Sequence, residues 1–168
     1  MFAQVAAGDP AGLEAIYRVA ARRIFGLALW RTGSVEDAAD VVQEVFVRLA
    51  ESRDRLAGVA DPHAWLLSVA HHVAVDLTRR RARRRAETLE DMPHLVAPEG
   101  EGSPVDAARA SRLLATLSAA QRDAIYLRHC EECMFAAIGT ITGVPTFTAA
   151  SRYRLGIARL RRLMEVAP

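Results

Sequence analysis

Three observations predict that this 168-residue chain is an all-α protein of two small helical domains joined by a flexible acidic linker. Apolar residues recur at spacings of three and four through several long stretches, and no stretch shows the period-two alternation of a strand. Most of these stretches open on a capping residue or a proline, and several stop at a glycine. Between them, Glu87–Ser103 carries Pro93, Pro98, Gly100 and Gly102 with little periodic hydrophobicity, the composition of a flexible linker. The expected division is therefore 9–85 for the first domain, 86–105 for the linker and 106–166 for the second domain.

The elements follow in order. Asp9-Pro10 is an N-cap followed by proline at the first helical position. Leu13, Ile16, Tyr17, Ala20, Ile24, Leu27 and Ala28 then repeat at helical spacing until Thr32-Gly33 stops the run. Ser34, with Asp37 three residues on, restarts the chain as a capping pair. Ala38, Val41, Val42, Val45, Phe46 and Leu49 form one stripe, with Asp37, Asp40, Glu44 and Arg48 off it. Asp61-Pro62 repeats the cap-plus-proline start, and Trp65, Leu66, Val69, Ala70, Val73 and Leu77 lead into Arg79, Arg80, Arg81, Arg83, Arg84 and Arg85. Trp65 lies on the apolar stripe and is read as core. In the second half, Leu113, Leu114 and Leu117 close a helix, and Ser118 with Gln121 is a capping box opening the next. Met134–Thr142 is a short helix, Gly143-Val144-Pro145 a turn, and the last helix runs from about Thr146 or Phe147 to Met164.

Charge is unevenly spread beneath a net +2. Lysine is absent, so all 22 basic residues are arginine. Residues 62–85 carry net +5, 86–108 net −6 and 109–168 net +5. Two basic segments on separate helices point to a polyanion, most simply nucleic acid. No apolar run approaches the ~20 residues of a membrane span, so no membrane insertion is expected. Met1–Pro10 has no secretory signal pattern, and with only Cys130 and Cys133 a cytoplasmic chain without a disulfide framework is expected. No Gly-rich phosphate loop, paired-carboxylate site or metal-ligand cluster is seen, so neither enzymatic activity nor a cofactor is expected.

Ile138-Gly139, then Gly143-Val144, then Ala149 has helix-turn-helix spacing. A small residue at 139 lets the helices cross closely, Gly143 makes the turn, and the apolar residues lock the pair. The second helix then presents Thr148, Ser151, Arg152 and Arg154, groups suited to phosphates and to base edges in a major groove.

With these residues in view, the chain resembles the extracytoplasmic-function sigma factors of bacterial RNA polymerase. Asp37-Ala38-Ala39-Asp40-Val41-Val42-Gln43-Glu44-Val45-Phe46-Val47-Arg48-Leu49 resembles that family's DAEDLVQETFLRL segment. Ala64-Trp65-Leu66, Ala70, Ala74-Val75-Asp76 and Arg79-Arg80-Arg81 resemble its AWL helix, which ends in an arginine run. Thr148-Ala149-Ala150-Ser151-Arg152-Tyr153-Arg154, then Ala158-Arg159-Leu160-Arg161, resembles its recognition helix. The resemblance covers about Leu13–Met164.

The resemblance implies that the first domain binds the clamp helices of the polymerase β′ subunit and reads and melts the −10 element. It implies that the second binds the −35 element and the β flap, and that an anti-sigma factor can be a further partner. Core-polymerase binding would fall to Asp37, Asp40, Gln43, Glu44, Phe46 and Arg48. Contacts to −10 DNA would fall to Arg53, Asp54 and Arg55, in the interhelix segment where the family keeps its base-capturing loop, and to His71, His72, Arg79 and Arg80. Contacts to −35 DNA would come from Thr148, Ala150, Ser151, Arg152 and Arg154. The sequence departs from the family at Ala39, His72, Ala137, Thr140, Phe147, Ala150 and Leu155, which bears most on the −35 sequence that is read.

Two alternatives stand beside this reading. One is a stand-alone helix-turn-helix regulator, against which the Asp37–Leu49 motif speaks. The other is a thiol-redox enzyme built on Cys130-Glu131-Glu132-Cys133, against which the lack of any βαβ pattern speaks. The two cysteines are read as small buried hydrophobes.

Overall fold

The computed structural model describes residues 1–88 and 104–166, all of whose regular elements are helices. The helices are α1 (Phe2–Ala6), α2 (Pro10–Thr32), α3 (Val35–Glu51), α4 (Arg53–Leu56), α5 (Pro62–Thr88), α6 (Pro104–Ala115), α7 (Ala119–His129), α8 (Phe135–Thr142) and α9 (Thr146–Val166). The chain divides into two compact units, Met1–Glu90 and Asp91–Pro168. Most of the predicted linker lies outside the described residues.

The first unit is a bundle of α2, α3 and α5, each packed on the other two. Its helix ends are chemical. The Asp9 carboxylate accepts from the Ala11 N–H (2.9 Å), the Ser34 hydroxyl from Asp37 N–H (3.3 Å) and the Asp61 carboxylate from Ala64 N–H (2.9 Å). Each satisfies a donor that the first helical turn leaves open. Gly33 ends α2 in the left-handed region, at φ 68°. Ile24, Leu27, Ala38, Val41, Val45, Leu49, Ala70 and Ala74 are sealed from solvent. Each large aliphatic among them contributes about 1.5–3 kcal/mol by leaving water.

Helix α1 was not expected from the sequence, which starts the domain at residue 9. It packs on α2 and α4, burying Phe2 and Val5. Gly12 makes this approach feasible, because a Cβ there would sit 2.7 Å from Gln4 Cβ and 2.9 Å from Val5 N. Phe2 meets Trp65 edge-on, with ring centroids 5.8 Å apart. The interhelix segment after α3, where the resemblance implies a base-capturing loop, opens with the turn α4, pinned by buried Leu56.

In the second unit α9 packs on α7 and α8. The Ser118–Gln121 capping box is present in both directions, at 3.3 and 3.0 Å. Leu127, Ile138, Ile141 and Ala149 form the sealed centre. Gly143 caps α8 at φ 68°, and Val144 N–H donates back to the Gly139 carbonyl at 2.9 Å. Gly139 has no room for a side chain: a Cβ would meet the Val144 carbonyl oxygen at 2.7 Å.

Candidate functional site

In the first unit, α3 turns Asp40 and Gln43 to solvent, while Glu44 and Arg48 are half-buried and paired with each other at 2.8 Å. Beside them α2 and α3 leave a groove of about 840 Å³, floored by Leu13, Phe25, Val42, Phe46 and Val47. Tyr17 stands on its edge, 53% exposed, with its ring 5.0 Å from that of Phe46. The sequence reading placed Tyr17 on the core stripe and so missed it as part of this surface. Helical spacing marks it as apolar-side but cannot say that α3 stops short of covering it. The result is an apolar trough with Gln43 and Arg22 in its lining and Asp40 exposed on the same helix as Gln43, a shape that suits an amphipathic helix.

Asp37 does not belong to that rim. It is 2% exposed and accepts a charge-assisted hydrogen bond from Arg81. Burial pushes its carboxyl above the ordinary value of 3.8, and the Arg81 guanidinium pulls back only part of that shift. Assigned from sequence to a docking face, Asp37 is instead a buried tie between the start of α3 and the arginine run of α5.

His71 is corrected in the same way. It is buried, whereas its neighbour His72 is exposed, with Nδ1 2.6 Å from the Ser68 carbonyl oxygen. Only His72 of the two faces solvent. Arg53, Asp54 and Arg55 are exposed on α4, with Arg53 and Asp54 at 3.8 Å from each other. Arg79 and Arg80 are exposed on α5 and line a polar hollow with Asp76, Ala82 and Arg83. The arginine run is thus divided, with Arg81 turned toward the protein and its neighbours outward.

In the second unit, α9 buries Ala149 and Gly156 and turns Arg154 outward, while Thr148, Ala150, Ser151 and Arg152 are half-buried. The Arg154 guanidinium lies 6.0 Å from the centroid of the Phe147 ring. Tyr153 faces inward, its hydroxyl 3.1 Å from His129 Nε2 and its ring 5.4 Å from that of Phe135. These contacts hold α9 against the end of α7 and the start of α8.

The cysteines differ from expectation. Cys133 is buried, as read, but Cys130 is exposed. Desolvation and the Glu131 carboxylate push the Cys130 thiol up, which leaves little thiolate at neutral pH. Among the described residues no group of three or more His, Cys, Asp or Glu is placed to hold a metal ion. No helix among them is long and apolar enough to cross a membrane.

A bundle with an apolar, charge-rimmed trough and a separate basic helix-turn-helix define an all-α DNA-binding class of protein. Residues 16–84 match the family model for sigma-70 region 2. The chain is 32% identical to the ECF RNA polymerase sigma factor SigE of Mycolicibacterium smegmatis, over 93% of this chain and 64% of that protein. It is 30% identical to the ECF RNA polymerase sigma factor SigL of Mycobacterium tuberculosis, over 95% of this chain and 93% of that one. The fold is shared with the Bartonella quintana sigma factor RpoE, solved with the anti-sigma factor NepR (TM-score 0.77, 22% identity, 92% of this chain and 98% of that one). It is shared equally with CnrH, solved with the cytosolic domain of CnrY (TM-score 0.75, 21% identity, 99% and 96%). The chain belongs to the ECF sigma factors of RNA polymerase.

Proposed function

We propose that this protein directs core RNA polymerase to a particular set of promoters and initiates transcription there, working in the cytoplasm without catalytic chemistry of its own. The first unit docks on the polymerase β′ clamp helices through the α2–α3 trough and engages the −10 element with α4 and the outward arginines of α5. The second reads the −35 element with α9 and meets the β flap. One observation carries the reading: a single chain holds a sigma-70 region 2 bundle and a helix-turn-helix whose second helix seals Ala149 inward and turns arginine outward. The relatives RpoE and CnrH, solved in complexes, support a protein inhibitor as a further partner, for which the same trough is an available surface.

In vitro transcription from a random promoter library with added core polymerase tests the proposal. The expected product is a set of transcripts from templates sharing paired upstream and downstream elements. Output no different from core polymerase alone overturns it.

Three variants resolve the two halves. Asp40→Ala with Gln43→Ala removes exposed polar groups of α3, of which Gln43 lines the trough, and is expected to weaken core-polymerase binding with the helical content unchanged. Competition against a second sigma factor measures this, and unchanged competition would count against the docking face. On α9, Arg152→Ala and Arg154→Ala are each expected to weaken binding to −35 DNA. A lost phosphate contact lowers the salt slope of binding by about 0.9. A lost base contact costs about 1–3 kcal/mol and relaxes specificity at one position. Titrations at several salt concentrations separate the two outcomes.

A further inference from the structure

Besides Met164 in its last turn, helix α9 carries two large apolar side chains in water: Phe147 is 75% exposed and Leu155 59% exposed. They are not scattered. At 3.6 residues per turn, Phe147, Ser151 and Leu155 fall within about 80° of one another, nearly opposite the sealed Ala149. The Arg154 guanidinium lies over the face of the Phe147 ring, 6.0 Å from its centroid. The crown of α9 is therefore an apolar–hydroxyl–apolar row, Phe147, Ser151, Leu155, bordered by Arg154 on one side and Arg159 on the other.

Any ligand of this crown must offer apolar groups at its centre and negative charge at its edges. Duplex DNA does so in the major groove only at thymine, whose C5 methyl is the apolar group that a base-pair edge presents between the phosphate rails. A cytosine or guanine edge would instead leave a donor or acceptor facing Phe147 or Leu155 without a hydrogen-bond partner. Ser151, between them, donates or accepts and discriminates little. The two apolar residues lie about 12 Å apart along the helix, so they address different base pairs.

From this row we infer that Phe147 and Leu155 are specificity-determining residues that read thymine methyl groups in the −35 element. The inference rests on the reading of α9 as the recognition helix. It adds a preference that arginine alone does not produce.

The test uses holoenzyme assembled from the full chain and core polymerase. A −35 element is first obtained by selection from a random library. Each thymine in it, on either strand, is then replaced singly by deoxyuridine, which deletes the methyl and keeps every hydrogen-bonding group. For wild type, at least two replacements are expected to weaken binding, each about fourfold, the worth of one buried methyl-sized group. Phe147→Ala and Leu155→Ala are expected to lose affinity for the thymine element and to become indifferent to deoxyuridine, each at a different position. Both side chains are exposed, so neither change threatens the fold. A selected element without thymine, or deoxyuridine penalties that persist unchanged in both variants, overturns the methyl reading and leaves the recognition helix standing. Selection of no upstream element at all overturns both.

Discussion

Arg81→Ala is expected to destabilise the first unit by about 3 kcal/mol at neutral pH, the low end of the cost of stranding a buried charge. The asymmetry of the pair sets the size. Asp37 is 2% exposed, whereas the Arg81 side chain is 40% exposed, so the two ends have different alternatives when the bond is lost. Removing Asp37 lets Arg81 swing into water. Removing Arg81 leaves a carboxylate sealed under α3 and α5, with its Oδ2 already lacking a partner in the wild type. Asp37→Asn is therefore expected to cost less than Arg81→Ala, and adding it to Arg81→Ala should recover part of the loss.

The pH dependence gives the same expectation a sign. The folded carboxyl titrates above its ordinary 3.8, so the folded state holds this proton more tightly than the unfolded chain. A raised pKa contributes stability that is fully present below the unfolded value and is lost as pH rises through the folded one. Without Arg81 the folded value rises further, so the Arg81→Ala deficit should be small near pH 4 and grow toward neutrality. Both tryptophans, Trp30 and Trp65, lie in the first unit, so fluorescence-detected urea unfolding reports this unit alone. A deficit of equal size at both ends of the pH range would show that the ion pair is not its cause.

Gly139→Ala is expected to destabilise the second unit by about 2 kcal/mol, within the usual cost of overpacking a tight contact. Alanine ordinarily favours a helix over glycine by up to ~1 kcal/mol, so the sign of this change is set by tertiary contact. The new methyl would lie 2.7 Å from the Val144 carbonyl oxygen and 3.3 Å from Thr146 N, both backbone atoms. Neither can retreat, because Val144 N–H is bonded to the Gly139 carbonyl itself. Helix α9 would have to lift from α8, which moves its whole presented face. Gly156→Ala is the control. Its methyl meets Ile125 Cδ1 at 2.9 Å, the far end of a flexible side chain, and helix propensity offsets much of that contact. Hydrogen exchange at α8 and α9 amides, with unchanged tryptophan fluorescence, should show the Gly139→Ala loss confined to this unit. Equal stability of the two variants would remove the case for a close crossing.

Much of the architecture is legible in the sequence because its causes are local. The caps at Asp9, Ser34, Asp61 and Ser118 act across two or three residues, and the left-handed turns at Gly33 and Gly143 need only the residue itself. The stripe of α3 and the Gly139–Gly143–Ala149 spacing are likewise contained in one or two helices, and the structure realises both. Tertiary structure decided the boundaries of each face, where a helix with an apolar stripe leaves flanking positions undetermined. Asp37 sits at such an edge and is buried only because α5 brings Arg81 over it, 44 residues along the chain. His71 follows Ala70 into the bundle, while adjacent His72 turns out. Tyr17 has apolar spacing yet stays half in water, because α3 meets it only through Phe46 and leaves the trough between the two helices open. Phe147 and Leu155 are exposed for the same kind of reason: α7 and α8 cover one side of α9 and leave these two side chains outside their contact. Which side chains are available to a partner was set by where the neighbouring helices end, a long-range property that no local spacing encodes.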